Sequence, residues 1–350
     1  MKTIKIKFVG YWKGFDYKRT VLYKILSKHY QVDISESPDY VICSCFGDPY
    51  EYCKYPQVRI MYVGDNYIPD FNLVDYGIGN YPVTFLDRAF YFPFCIDEFG
   101  HCKSLVEKNR FYTETILEEK DLFCNFIAGH ESEFNIRGDF FKELNRYRRV
   151  ESAGTYLNNM PNRQTVHWDD DSKNNLQKRC KFTLCFESTK HEGFITEKIV
   201  DAFMADTIPI YYGSGSIKEI FNPKAFINVA DFNSFKEAID RIIEIDKNDE
   251  AYLAMLREPI FINRDFVADT LSSFEKYLCS IFAQPLERAY RRSRVYTPEY
   301  INYYLTNAVC PTRIGPVKGF MVFISSIINS IRRNFVLFER VFLRKLWHRK

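Results

Sequence analysis

From Met1 to Phe8 charged and apolar residues alternate with a period of two, the spacing of a β-strand with one face buried. Short runs rich in β-branched and aromatic residues recur at 4–9, 40–45, 58–63 and 89–94, separated by a helical stretch near 19–29 and by turn residues such as Gly64-Asp65-Asn66. Residues 97–120 are more polar and predict a linker or connecting helix, which places a domain boundary near 118. Beyond it the alternation is clearer: strand 122–128, helix about 136–146, strand near 149–153, helix 172–179, strand 182–186, helix 196–205, strand 207–212 and helix 233–245. Repeated βαβ units predict a parallel sheet with helices on both faces. Ligands of such sheets bind outside the carboxyl ends of the strands, so the loops that enter helices carry the candidate chemistry.

A length of 350 residues suits two domains, and 46% hydrophobic with 17% aromatic residues exclude a disordered chain. The net charge of +3 changes the picture only when divided: residues 286–350 carry 13 Lys and Arg against 3 Asp and Glu, a surplus of +10, which leaves the body at −7. Ten cysteines form no CxxC pair and read as reduced thiols, mostly in the core. The N-terminus lacks the uninterrupted apolar stretch of a signal peptide, and no Asn-x-Ser/Thr sequon occurs. No run approaches the ~18 apolar residues of a membrane span. A cytoplasmic protein is expected.

The most informative stretch runs Phe182-Thr-Leu-Cys-Phe-Glu-Ser-Thr-Lys-His-Glu-Gly-Phe-Ile-Thr-Glu-Lys, followed by Thr207-Ile-Pro-Ile-Tyr-Tyr-Gly. An apolar strand ends at Phe186, a polar loop with Gly193 follows, and Thr196 is placed to cap a helix whose first turn holds Glu197 and Lys198. Such a terminus offers backbone N–H groups and positive dipole to an anion, and Lys198 adds a point charge, so a diphosphate would fit. Ordinary capping by Thr196 and dipole matching by Glu197 explain the same residues when they are taken alone.

Taken together, Phe186-Glu-Ser-Thr, Gly193-Phe-Ile-Thr-Glu-Lys-Ile, Thr207-Ile-Pro-Ile-Tyr-Tyr-Gly and Phe221-Asn-Pro-Lys-Ala-Phe-Ile-Asn-Val closely resemble the donor-binding signature of the α-1,3-fucosyltransferases, glycosyltransferase family 10. The resemblance runs from about residue 57 to 256, is weaker before that and does not reach the tail. It implies an α/β GT-B fold of two Rossmann-like domains facing a cleft, GDP-L-fucose as donor, and inverting transfer to a sugar hydroxyl. It makes Lys198 a diphosphate ligand and Glu197 a partner of donor hydroxyls. Ser188 stands where Asn is usual, and Phe194 where bacterial relatives can have Tyr, so Phe194 forgoes that hydroxyl's hydrogen bond. Phe134-Asn-Ile-Arg137-Gly resembles the family helix whose Arg grips the diphosphate, a task suited to a guanidinium. An Arg on a solvated helix face is the ordinary alternative. Gly154 follows a strand as a glycine near the nucleotide would, or as a turn glycine would.

Arg59-Ile-Met-Tyr62-Val-Gly-Asp65-Asn66 resembles the family segment ending in Gly-Glu-Asn, with Asp65 in place of the Glu. Inversion needs a carboxylate opposite the leaving diphosphate to take the acceptor proton. Asp65 is the expected base, although Asp in Gly-Asp-Asn is also a common turn residue and its side chain is one methylene shorter. Tyr62, Asn66 and Asp75 are expected to shape the acceptor-side cleft, and Glu187 is a second carboxylate to test, either a donor ligand or a structural acceptor at the strand end. Asp169-Asp-Asp171 and the six His show no metal-ligand spacing, and Asp171 reads as a helix cap. No metal or other cofactor is expected, since basic groups and a helix terminus can hold a leaving diphosphate.

The tail 318–350 reads as an amphipathic helix, with Phe320, Ile324, Ile327, Ile331, Phe335 and Phe338 at spacings of three or four and Arg333, Arg340 and Arg344 opposite. It suits an anionic membrane surface on the cytoplasmic side, or docking on the acidic body; nucleic acid is disfavoured by so many apolar side chains. The domains expected are 1–118 for the acceptor, 119–285 for GDP-fucose and 286–350 as the basic tail. The reaction expected is transfer of fucose to the 3-hydroxyl of GlcNAc in an N-acetyllactosamine-type glycan. The alternatives are a GT-B transferase with another sugar nucleotide or acceptor, and a non-catalytic nucleotide-sugar or glycan binding protein.

Overall fold

A computed structural model describes residues 1–47, 51–97, 101–108, 110–132, 135–167 and 171–292. The first lobe is β1 (Lys2–Val9), α1 (Val21–His29), β2 (Tyr30–Ile34), β3 (Tyr40–Cys43), β4 (Val58–Val63), β5 (Tyr76–Gly79) and β6 (Ala89–Tyr91). Its six strands are all parallel in the order β2-β1-β3-β4-β5-β6. Two short helices, α2 (His101–Glu107) and α3 (Thr115–Glu119), occupy the polar stretch and lead to the second lobe.

The second lobe follows as β7 (Leu122–Phe126), α4 (Ile136–Tyr147), β8 (Val150–Ser152), α5 (Ser172–Lys178), β9 (Cys180–Phe186), α6 (Glu197–Met204), β10 (Ile208–Tyr212), α7 (Ile217–Ile220) and β11 (Ile227–Asn228). These strands are also all parallel, in the order β11-β10-β9-β7-β8. Every residue of β4 and of β9 is buried, as expected where helices cover both faces of a parallel sheet. The chain continues through α8 (Phe235–Asp246), α9 (Asp249–Arg257), α10 (Phe266–Ala283) and α11 (Leu286–Ala289).

Two strands of the first sheet lie outside the sequence expectation. β2 starts at the residue after α1 ends, with no turn residue between them, and β5 reads Tyr-Gly-Ile-Gly, whose glycines mimic a loop. Gly77 is required there because a Cβ would stand 2.6 Å from the Pro69 ring.

The expected boundary at 285 is corrected by α10. Its Phe274 stacks on Phe92 of the first lobe at 4.4 Å, and Phe282 meets Tyr40 at 4.4 Å. An amphipathic pattern announces a helix but not which sheet it will cover. The chain then returns to the first lobe through Asp75, which corrects the cleft role expected for that residue. Asp75 is 0% exposed; Oδ2 accepts the Arg59 amide at 2.7 Å and pairs with the Arg292 guanidinium, while Oδ1 accepts the Arg291 and Arg292 amides. A carboxylate so satisfied is a structural anchor. The amphipathic tail 318–350 lies outside the described residues, as do Phe134, Asp169 and Asp170. Among the described residues no helix is long and apolar enough to cross a membrane.

Candidate active site

The carboxyl ends of β1, β3 and β4 in one lobe and of β7 and β9 in the other open on a single cavity of about 440 Å³, within the range of ligand sites. Arg137, Ser188, Phe194, Glu197 and Lys198 line one wall; Tyr62 and Asp65 line the other. The structure therefore brings these seven residues together, whereas Asn66, Asp75, Gly154 and Glu187 do not line the cavity.

The donor wall is organised by Glu187, the residue after β9. Its buried carboxylate accepts the Thr196 amide at 2.8 Å and the Thr196 hydroxyl, and pairs with Lys198 Nζ at 3.1 Å. Glu187 is thus consumed in shaping the loop, so of its two expected roles the structure shows the structural acceptor at the strand end and not the donor ligand. The same bonds change the expected role of Thr196: among the described residues its side chain caps no amide of α6. The terminus of α6 therefore keeps amides that Thr196 does not cap, although the Glu197 amide is bonded by its own carboxylate, and the helix dipole still favours an anion there. Asp171 likewise stands at the start of α5 without a side-chain cap.

Lys198 Nζ also reaches Thr196 Oγ1 at 2.7 Å and Glu197 Oε1 at 3.3 Å. Burial works against its charge, but Glu187 and Glu197 outweigh it and hold the ammonium above its usual pKa. Burial also works against the Glu197 carboxylate, and there Lys198 and Lys173 prevail and push its pKa down. Both groups stay ionised at neutral pH. Arg137, in the first turn of α4, donates from Nε and Nη2 to the Phe186 carbonyl at 3.1 and 2.8 Å, and from Nη1 to the His130 carbonyl at 3.1 Å. Two of its five donors fix the end of β9 and a third fixes the loop after β7, which leaves two for a ligand. Gly154 acts indirectly. A Cβ there would lie 2.1 Å from the Ala128 carbonyl oxygen, so glycine lets the loop 127–130, which lines the cavity, lie against the end of β8.

On the facing wall Asp65 is exposed to the cavity, and its Oδ1 accepts the Asn66 amide at 2.7 Å. Asn66 Oδ1 accepts the Tyr81 hydroxyl, and the Gly64 carbonyl accepts Asn80 Nδ2 at 2.6 Å. Tyr81 also stacks on Phe194 at 6.1 Å, and Tyr91 donates to the Gly193 carbonyl at 3.1 Å. The Asp65 loop and the donor loop are thus held by one segment.

Sequence reasoning missed the rest of this wall: Tyr11, Trp12 and Phe15 after β1, Phe46 after β3, and Asp97. Four aromatics within Tyr11–Tyr17, directly after a strand, were a readable signal; Asp97 offered none. Asp97 Oδ1 accepts the Val21 amide at the start of α1 at 2.8 Å, and Tyr62 lies against the carboxyl. Burial pushes its pKa from 3.8 to about 6, against the opposing bonds from Val21 and Tyr62. Ionisation therefore costs the folded state stability, a cost absent below about pH 4 and complete above about pH 6. Asp97→Asn keeps an acceptor for Val21 and deletes the charge. It is expected to stabilise the fold by on the order of 1–3 kcal/mol at pH 8 and by little at pH 4.5. Thermal melts at the two pH values check this; the same shift at both would show that the charge is not what burial penalises.

Among the described residues no group of three or more His, Cys, Asp or Glu side chains could hold a metal ion.

Residues 117–296 match glycosyltransferase family 10 (fucosyltransferase), C-terminal part, and residues 6–96 match the α-(1,3)-fucosyltransferase FucT N-terminal domain. The α-(1,3)-fucosyltransferase FucT of Helicobacter pylori is 33% identical over 296 residues, which cover 73% of this chain and 60% of that protein. The mouse 4-galactosyl-N-acetylglucosaminide 3-α-L-fucosyltransferase 9 is 28% identical over 180 residues, 50% of this chain and 45% of the mouse protein. The chain thus spans from under half to about 60% of the length of these relatives. Among solved structures, a crystal structure of α1,3-fucosyltransferase superposes with a TM-score of 0.65 at 30% identity, covering 79% of this chain and 90% of the other. A crystal structure of α1,3-fucosyltransferase with GDP-fucose gives a TM-score of 0.63 at 30% identity over the same shares.

Proposed function

The chain belongs to glycosyltransferase family 10, the fucosyltransferases, and on that premise we propose that it transfers L-fucose from GDP-fucose to the 3-hydroxyl of GlcNAc in an N-acetyllactosamine-type acceptor. The observation that carries this reading is the single cavity in which an uncapped helix terminus with Lys198 and Arg137 faces Asp65. In this reading the acceptor oxygen bonds to fucose C1 from the Asp65 side as the bond from C1 to the diphosphate breaks on the other. The acceptor proton passes to Asp65, and the charge left on GDP is met by Lys198, Arg137 and the amides of α6. Lys198 and Arg137 are cationic and the amides present their positive dipole without a metal, so turnover is proposed to persist in EDTA.

The test is GDP release from GDP-fucose with and without N-acetyllactosamine, in EDTA, followed by mass analysis of the glycan. A product heavier by one deoxyhexose supports donor, acceptor class and metal independence together. Binding of GDP-fucose without turnover on any acceptor would support a binding protein instead.

The basic tail is proposed to hold the enzyme peripherally on an anionic cytoplasmic membrane face, a reading supported by its +10 surplus and its apolar spacing. A chain ending near residue 315 is expected to lose binding to anionic vesicles and to keep its activity on a soluble acceptor. Cosedimentation and initial rates check both halves, and retained vesicle binding would place the membrane contact elsewhere.

A further inference from the structure

The transfer reaction leaves one part of the cavity without a role. After β1 the loop folds so that Tyr11 and Phe15 stack at 3.9 Å, and Trp12 meets Phe15 edge-on at 5.0 Å. Phe46, from the loop after β3, meets Trp12 edge-on at 5.2 Å. Phe8 backs the group, touching Tyr11 at 5.9 Å and Phe15 at 6.0 Å, so the rings are packed against the sheet. Yet Trp12 remains 40% and Phe46 44% exposed, in the cavity that holds Asp65 and Lys198. Two large aromatics exposed inside a charged cavity make a recognition surface.

The chemistry of the wall selects its occupant. Among the charged side chains of the first lobe that line the cavity, Asp16, Asp65 and Asp97 outnumber Arg19, so a second anion is disfavoured, and a purely apolar ligand would strip water from charged groups without pairing them. A neutral hexose meets both demands. Its C–H face carries slight positive potential and suits the negative face of an aromatic ring, while its hydroxyls can donate to carboxylates.

We propose that Trp12 and Phe46 form a stacking subsite for a neutral hexose of the acceptor, the sugar joined to the one whose hydroxyl is fucosylated. This rests on the fucosyl-transfer reading for the identity of the acceptor. The subsite makes the enzyme select a disaccharide over a monosaccharide, because only the disaccharide reaches both Asp65 and the rings.

The experiment compares the full chain with W12A, W12F and F46A, using N-acetyllactosamine and N-acetylglucosamine as acceptors. W12A is expected to raise the KM for the disaccharide about tenfold, with the KM for GDP-fucose unchanged and W12F restoring part of the loss. The KM for the monosaccharide should stay where it was, so that the preference between the two acceptors collapses; F46A should act in the same direction. An unchanged disaccharide KM in both alanine variants, or an equal penalty on the monosaccharide, would overturn the subsite. Calorimetric binding of N-acetyllactosamine to the GDP-saturated chain reads the same contact without turnover. Loss of binding in W12A supports the subsite even if no fucose is transferred, and unchanged binding, or none to the wild type, removes it. Absence of product with binding intact falls on the transfer reading alone.

Discussion

Lys198→Met should lower kcat/KM for fucosyl transfer by about 10²–10³, the scale of losing one donor to the developing charge, and should weaken GDP binding in parallel. The size follows from where the ammonium sits. It stands in the first turn of α6, held at 2.7 Å from Thr196 Oγ1 and 3.1 Å from Glu187 Oε2. Those two partners leave its third proton on Glu197 at 3.3 Å, the longest of the three contacts and the one a phosphate oxygen can replace. Methionine keeps the length of the stem and removes only the charge. Because Glu187 then loses its cationic partner while buried, stability should fall as well, so GDP affinity must be read on the folded fraction. Arg137→Lys separates the two effects from the other side. A lysine cannot span the Phe186 and His130 carbonyls as the guanidinium does, so the end of β9 should loosen although the charge is kept. Calorimetry with GDP checks both variants, and wild-type affinity in folded Lys198→Met would remove the diphosphate from this wall.

The donor wall was legible in sequence because its chemistry is local. Strand, loop and helix start follow one another from 180 to 204, and only the direction of the Thr196 hydroxyl depends on a contact that spacing does not reveal. Arg137 was reachable through its motif alone, since no local pattern tells that a helix Arg will turn onto the end of a strand 49 residues away. The acceptor wall is different in kind. Asp65, Tyr11, Phe46 and Asp97 come from four separate loops of the first sheet, whose order β2-β1-β3-β4-β5-β6 sets their proximity. Asp75 misled for the same reason. It lies in a stretch that resembles the family, yet its partners are Arg59 and the returning Arg292, 217 residues on. What sequence withholds at this wall is above all tertiary pairing, on top of the two strands, β2 and β5, that its pattern did not announce.

Asp65→Asn is expected to lower kcat by about 10²–10⁴, the range for loss of a general base, with the KM values for both substrates little changed. The substitution is close to isosteric, so the cavity and the Asn66 amide keep their acceptor, and what disappears is a site for the acceptor proton. The loop that carries this shorter side chain has little freedom. Gly64 packs its backbone against Phe94, where a Cβ would lie 2.5 Å from the ring, while Asn80 and Tyr81 hold the loop through the Gly64 carbonyl and Asn66. Adding a methylene in Asp65→Glu should therefore retain far more activity than Asn, since a carboxylate remains and the exposed side chain has room to turn. The competing carboxylate on this wall is Asp97. Its bond to the Val21 amide and its contact with Tyr62 mark it as part of the cavity's frame, so Asp97→Asn should leave transfer within a few-fold of wild type, the scale of altered packing rather than of a lost base. Initial rates of the three variants at saturating GDP-fucose settle the assignment: a collapse in Asp97→Asn with Asp65→Asn still turning over would move the base to Asp97, and a collapse confined to Asp65→Asn would show that the pinned loop places an aspartate where the reaction needs its base.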